Sequence, residues 1–429
     1  MGRRIKQPIF RFQPFSKKQK KILTWWLPES PVHDKDGIIA DGAIRSGKTV
    51  SMALSFVMWA MECFEEQNFA MCGKTIGSFR RNVLTVLKLM LRSRGYKLKD
   101  HRADNMVEIR FKGKVNYFYI FGGKDESSQD LIQGITLAGA FFDEAALMPE
   151  SFVNQATARC SVEGSKWWFN CNPQGPHHWF KLNWIDKAGE KNLVYLHFEM
   201  DDNLSLSEKI KARYRAMYTG VFYKRYILGL WVVAEGVIYD MFDKAKHVAG
   251  KLPDIFKAKT YVSCDYGIQN TTVFLLWKQG EDEIWYCARE YGYSGRDEEM
   301  QKTDSQFADD LQDWLGGEKP FRIIVDPSAA SFIAELKQRG FRVRKAKNDV
   351  LDGIRFVATL LALEKIKFHE SCKGTQEEFA EYVWDPKAAE RGEDKPIKRK
   401  DHYMDAVRYF CYTILHKNDV KIKTFKGGI

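Results

Sequence analysis

Gly42-Ala43-Ile44-Arg45-Ser46-Gly47-Lys48-Thr49 fills every fixed position of the phosphate-cradling loop G-x-x-x-x-G-K-[ST]. Its flanks raise the match above chance. Upstream, residues 37–40 read as a short strand, and downstream residues 50–62 have helical character, so the loop lies between strand and helix as phosphate binding requires. In that setting the glycines Gly42 and Gly47 let backbone N–H groups turn toward a β-phosphate, with Ser46 inside the cradle. Lys48 reaches the β- and γ-oxygens, and the Thr49 hydroxyl coordinates magnesium. Arg45, within the loop, adds positive charge at the γ-phosphate. The expected ligand is ATP with Mg2+.

About ninety residues on, Gly139-Ala140-Phe141-Phe142-Asp143-Glu144 reads as a buried apolar strand ending in two carboxylates, the Walker B arrangement. Asp143 is expected to hold magnesium through water, and Glu144 to polarise the attacking water as general base. An acidic pair at a strand end also caps a following helix, here 149–159, and only the upstream loop favours catalysis. Further strands are expected at 69–73, 114–121, 166–172 and 193–199, interleaved with helices such as 78–93. That pattern is an α/β sheet with helices on its faces. A strand between the two nucleotide motifs marks the P-loop branch with an additional strand and a catalytic glutamate. The 166–172 strand ends in polar amides where a γ-phosphate sensor sits, which makes Asn172 a candidate for coupling hydrolysis to motion; an Asn-Pro turn explains it equally well. His177 and His178 lack a partner ligand at metal spacing.

The pattern changes beyond 229–259, where a helical stretch at 207–230 gives way to Gly236, Gly250 and Pro253. The expected division is a P-loop ATPase domain at 1–205, a helical subdomain and linker at 206–258, and a nuclease domain at 259–429. Strands at 261–264, 272–278 and 283–291, a helix at 304–315, a strand at 321–325, a helix at 329–339 and a strand-helix unit at 341–363 follow the order of a ribonuclease H-like domain. Asp265 ends its first strand, Asp326 ends its fourth, and Asp405 lies on the final helix. Each acid singly is a common cap or surface charge. Together they are positioned to hold two Mg2+ or Mn2+ ions, which activate a water on one side of a scissile phosphate and stabilise the leaving oxygen on the other. Asp401 and His402, one turn before Asp405, share or adjoin its helix face and are candidates to assist.

The 429 residues suffice for two hydrophobic cores, and 45% hydrophobic with 29% charged residues is a globular composition. The net charge of +11, with basic runs at 3–21, 92–102, 342–347 and 395–400, favours a polyanionic partner. Eight scattered cysteines contain no zinc or redox pair and read as reduced thiols. The most apolar stretch, 50–64, is too short to span a bilayer, and the amino terminus has no signal-peptide pattern, so no membrane association and a cytoplasmic location are expected.

GAIRSGKT, AFFDEA and NCNPQGPHHWF, with SCDYGI, IIVDPSA and DHYMDAVRY in the second half, resemble the large terminase subunit of tailed bacteriophages and related prophages, over nearly the whole chain. The resemblance implies a virus-encoded protein of the host cytoplasm that hydrolyses ATP to translocate double-stranded DNA into a procapsid and cleaves concatemers. It implies a homo-oligomeric ring of five subunits on the portal protein, and a small terminase subunit that selects the genome. It makes Gln19 the adenine-contacting residue. In many relatives an arginine that reaches the neighbouring subunit's ATP precedes the glycine before Walker B, whereas here Gln133 precedes Gly134. Arg80, Arg81, Arg102 and Arg159 remain open for that role. Two other readings also stay open: a helicase or recombination ATPase whose second domain only grips DNA, and a non-enzymatic adaptor that binds nucleotide structurally.

Overall fold

The computed structural model describes residues 10, 12–254, 256–267, 271–294 and 301–416. Residues 3–9 and Arg11 of the first basic run, Ile268 of the SCDYGI stretch and the last thirteen residues of the expected nuclease domain lie outside the described residues. The chain forms two compact units. The first comprises Met1–Ala212 and Lys224–Val233, and the second Arg213–Tyr223 and Ala234–Gly427, so the stretch expected as a linker is shared between them.

In the first unit the described strands are β1 (Gly37–Gly42), β2 (Asn68–Gly73), β3 (Lys97–His101), β4 (Met106–Phe111), β5 (Lys114–Gly122), β6 (Gly139–Asp143), β7 (Lys166–Asn170) and β8 (Leu193–Phe198). They form one sheet in the order β3-β4-β5-β2-β6-β7-β1-β8. Six strands from β5 to β8 run parallel, and the β3–β4 hairpin adds an antiparallel edge. β7 stands between β1, which feeds the phosphate loop, and β6, which ends in Asp143. The additional strand is therefore in place.

β6 is buried at all five positions, as a central parallel strand covered on both faces must be. Alternation sends Phe141 into one core with Ile38, Phe56, Trp59 and Trp168, and Phe142 into the other with Ile39, Phe169 and Phe180. Trp59 and Trp168 lie 4.7 Å apart by ring centroid on the first face, and Phe142 stacks on Phe169 at 4.8 Å on the second. Each such ring contributes about 1.5–3 kcal/mol by leaving water. Gly139 opens β6 because a Cβ there would lie 2.7 Å from the Trp59 ring.

The expected helix at 78–93 is instead Ile76–Phe79 and Thr85–Ser93 joined by a π-turn at Arg80–Leu84. The helical stretch at 207–230 is broken into Glu208–Met217 and Gly220–Tyr226, where Gly220 adopts φ 51°.

The second unit holds β9 (Val248–Ala249), β10 (Tyr261–Asp265), β11 (Thr271–Gln279), β12 (Trp285–Ser294), β13 (Arg322–Val325), β14 (Val343–Lys345) and β15 (Ile366–His369), in the order β14-β13-β10-β11-β12-β15-β9. β10, β11 and β12 form an antiparallel meander, and β13 and β14 join it parallel beside β10. Helices Asp304–Leu315 and Ala330–Gln338 bury Phe307, Leu311, Phe332 and Leu336 against Val262, Phe274, Ile323 and Val325. The final helix, His402–Phe410, packs against β10 and β11, with Phe410 stacked on Trp277 at 4.4 Å. This is the mixed sheet of a ribonuclease H-like domain. Among the described residues no helix is long and apolar enough to cross a membrane.

Candidate nucleotide and nuclease sites

The phosphate loop joins β1 to the helix Lys48–Cys63 through three left-handed residues, Gly42 at φ 118°, Arg45 at 58° and Gly47 at 86°. Glycine is required at Gly42, since a Cβ would lie 2.0 Å from the Phe198 carbonyl oxygen. Lys48 is buried and donates to Gly42 O at 3.1 Å, Ala43 O at 2.6 Å, Ser46 Oγ at 3.2 Å and Asn172 Oδ1 at 3.2 Å. Burial pushes its ammonium down to about 8, opposed by Cys171, Asp41, Asp143 and Glu144.

Thr49 Oγ1 donates to Asp143 Oδ1 at 3.0 Å. Burial raises the Asp143 carboxyl, while hydrogen bonds from Asn170 and Thr49 and the charge of Lys48 draw it back. Asn170 connects the whole group. Its Nδ2 donates to Asp143 Oδ1 at 2.8 Å and Thr49 Oγ1 at 3.4 Å, and its Oδ1 accepts from the Glu144 N–H at 3.2 Å. Glu144 itself sits at φ 62°, ψ 47°, a conformation that costs a non-glycine residue about 1–3 kcal/mol. Arg45 is exposed, and its carbonyl accepts from Asn203 Nδ2 at 2.7 Å.

In the second unit the register pairs Cys264 with Val325, so the next residues, Asp265 and Asp326, stand side by side at the carboxyl ends of parallel strands. The final helix brings Asp401, His402 and Asp405 to the same place. All five line one open cleft of about 770 Å³, together with Glu378, Lys398, Arg399 and Lys400. His402 Nδ1 lies 2.8 Å from Asp265 Oδ2. Tyr409 OH donates to Asp326 Oδ2 at 2.5 Å, and the Ser328 N–H to Oδ1 at 2.7 Å. Arg408 donates to Asp405 Oδ1 at 2.8 Å. Lys398 Nζ lies 3.0 Å from Asp401 Oδ2 and 3.5 Å from Asp405 Oδ2.

Two family models match. One is described as the N-terminal region of the terminase large subunit, T4likevirus-type, over residues 39–245, and the other as the terminase RNAseH like domain over 296–411. The chain is 65% identical to the large terminase of a thermophilic bacteriophage, with TM-score 0.90, covering 94% of this chain and all of that one. The chain belongs to the large terminase family. That thermophilic-phage terminase has also been solved with ADP, at 64% identity and TM-score 0.87, and with ATP-gamma-S, at 63% and 0.87, over the same shares of both chains. The large terminase subunit of Escherichia phage T5 is 29% identical over 294 residues, a match that spans 64% of this chain and 64% of the T5 protein. The two units are thus an ATPase domain and a ribonuclease H-like domain.

Within this large terminase fold, the electrostatics of the cleft follow from burial. Burial raises the Asp265 carboxyl to about 6, with Asp405 and Asp401 adding to the rise and His402 opposing it. Burial would lower His402, but Asp265 beside it holds the imidazole above its usual range. Asp326 lies below the carboxylate range: Ser328, Tyr409 and the Arg408 charge outweigh its partial burial.

Among the described residues no three His, Cys, Asp or Glu side chains stand close enough, as placed, to hold one ion. The donor set still fits a hard divalent cation in its chemistry, because it is carboxylate oxygens on a shared wall. The Lys398 ammonium between Asp401 and Asp405 shows that the wall draws a positive charge there.

Two residues that the sequence reading passed over belong here. Asn170 is the last residue of β7, two positions before Asn172, which lies just beyond the strand end. Glu378 sits mid-helix in Lys373–Glu381, with nothing local to mark it. Its Oε2 accepts the Tyr403 and Met404 N–H groups at 2.8 and 3.1 Å, and burial raises it to about 7. Gln19 is buried in a capping box with Ser16, and a Cβ on Gly47 would lie 2.2 Å from its Nε2, so it borders the phosphate loop. Of the open arginines, Arg80 and Arg102 pair with Asp100 at 2.9 and 3.8 Å, and Arg81 is exposed.

Proposed function

We propose that this chain is the motor subunit of a viral DNA-packaging machine, which hydrolyses ATP to drive double-stranded DNA into a procapsid and cuts the concatemer with its second domain. What carries the reading is that one chain holds two separate sets of chemistry-bearing residues. Lys48, Thr49, Asp143, Asn170 and Glu144 are gathered at a phosphate loop, and Asp265, Asp326 and Asp405 line one cleft in the other unit. The ADP and ATP-gamma-S complexes of the thermophilic-phage terminase support nucleotide at the first site.

In the first site Lys48 neutralises the β- and γ-phosphates, Thr49 and Asp143 would hold the magnesium that accompanies ATP, and Glu144 takes a proton from the attacking water. Asn170 holds Asp143, Thr49 and the Glu144 N–H while Asn172 holds Lys48, and through these bonds loss of the γ-phosphate is felt beyond the loop. Gln19 reads the adenine. In the second site, two magnesium or manganese ions held by Asp265, Asp326 and Asp405 would supply a hydroxide nucleophile and a charge sink for the leaving oxygen. His402 fixes the orientation of Asp265, and Asp401 and Lys398 adjust the charge beside Asp405. The portal protein, a small terminase subunit and a five-membered homo-oligomeric ring complete the machine that this reading implies, acting in the host cytoplasm.

The experiment separates the sites. Lys48→Ala or Glu144→Ala is expected to stop ATP turnover and leave manganese-dependent plasmid cutting intact, and Asp265→Ala to do the reverse. Persistence of both activities in all three variants would overturn the assignment.

A further inference from the structure

We propose that the segment Lys224–Val233 is a clamp on the phosphate loop, which sets the loop's backbone for nucleotide and changes its own bonding when nucleotide binds. The proposal deepens the nucleotide reading of residues 42–49 and rests on it.

The chain leaves the first unit at Ala212 and returns to it for Lys224–Val233. Those ten residues touch the loop at three points. The Tyr226 carbonyl accepts the Ile44 N–H at 2.8 Å. Trp231 Nε1 donates to Asp41 Oδ2 at 2.7 Å, and Asp41 is the residue immediately before Gly42. Gly229, at φ 73°, lies so close that a Cβ on it would be 2.9 Å from Ala43 N and 3.1 Å from Gly42 Cα. The segment is also tied to itself. The Arg225 guanidinium, 1% exposed, donates to the Val232 carbonyl at 3.1 Å through Nε and at 2.6 Å through Nη2, and the Leu230 N–H bonds the Lys224 carbonyl at 3.0 Å. A displacement at Tyr226 is therefore passed to Trp231 rather than absorbed.

Asp41 explains why the contact is more than packing. Its side chain is 0% exposed, and a carboxylate that has lost all its water must be held by donors on both oxygens. His197, its register partner on β8, faces Oδ1 at 2.9 Å, and Trp231 takes Oδ2. The Tyr195 hydroxyl also bonds this carboxyl, so removing the indole N–H takes away one of the few donors to a fully buried side chain at the root of the phosphate loop. Nothing in the hydrolysis chemistry uses Asp41, Tyr226 or Trp231, so they are positioning residues.

Amide hydrogen exchange on the unmodified protein, with and without ATP-gamma-S, tests the proposal without any variant. Protection is expected to change at least about threefold at 226–232 as well as at 42–49. Protection confined to 42–49 would overturn the clamp and spare the nucleotide reading; no protection at either place would sink both. Trp231→Phe keeps most of the ring and drops the donor. It is expected to raise the KM for ATP about tenfold, to change kcat less, and to lose a nucleotide-dependent part of the tryptophan emission. Leu228→Ser, exposed on the same segment, is expected to match the native protein. A Trp231→Phe chain with lowered melting temperature but native KM and native emission response would mark the contact as structural only.

Discussion

Glu378→Gln should make this protein more stable in alkaline solution, although it removes a charge that accepts two backbone hydrogen bonds. The carboxyl is buried and raised from 4.5 to about 7. Between those values the folded chain holds a proton that the unfolded chain has released, so stability falls as pH rises from 4.5 through 7, the reverse of the usual carboxylate. A rise of about 2.5 units at about 1.36 kcal/mol per unit gives a cost of about 3 kcal/mol, present in full at pH 8 and under about 1 kcal/mol at pH 5. Glutamine mimics the protonated acid, keeping an oxygen for the Tyr403 and Met404 N–H groups. Thermal melting of the native and Glu378→Gln proteins at both pH values measures the difference. For a unit of about 200 residues, 1 kcal/mol corresponds to about 2–4 °C, so the variant should melt about 6–12 °C higher at pH 8 and within about 4 °C of native at pH 5. A variant that melts lower at pH 8, or a gap independent of pH, would refute the reasoning that Glu378 is a carboxyl held neutral by burial at the foot of the final helix.

Two further outcomes follow from the sites. Asn170→Ala unties Asp143, Thr49 and the Glu144 N–H at once, and ATP turnover measured by phosphate release should fall about a hundredfold; turnover within threefold of native would show that Asn172 alone carries the coupling. Lys398→Ala frees Asp401 and the Oδ2 of Asp405 from a competing cation. Manganese affinity, read by calorimetry, should tighten about fivefold, and unchanged or weaker binding would remove Lys398 as a competitor.

How much of this was legible beforehand depended on whether the signal was local. The phosphate loop is contiguous, and its strand and helix flanks are short-range patterns, so its residues could be named from eight letters and their neighbours. The buried apolar run of β6 ending in Asp143-Glu144 was legible for the same reason. β3 escaped because Lys-Leu-Lys-Asp-His is a polar, partly exposed edge strand with little apolar alternation; β4, Met-Val-Glu-Ile-Arg-Phe, does alternate and was passed over all the same. β9 and β15, two and four residues long, carry too few side chains to show a period. The helix at 207–230 was overextended although Gly220, a poor helix former, marks the break between its two halves.

The sequence by itself determined which chemistries are present: a phosphate cradle, an acidic pair at a strand end, and three more aspartates, two at strand ends and one on the final helix. These are properties of neighbouring residues and of the backbone periods they impose. Only the tertiary structure decided which groups meet. Parallel pairing of β10 with β13 set Asp265 beside Asp326, although about sixty residues separate them, and the final helix laid Asp405 across the same wall. It also decided what each acid already touches, whether the His402 ring, the Tyr409 hydroxyl or the Lys398 ammonium. It placed a distant tryptophan on Asp41. Register and packing are sums over many long-range contacts, and no short stretch of sequence contains them.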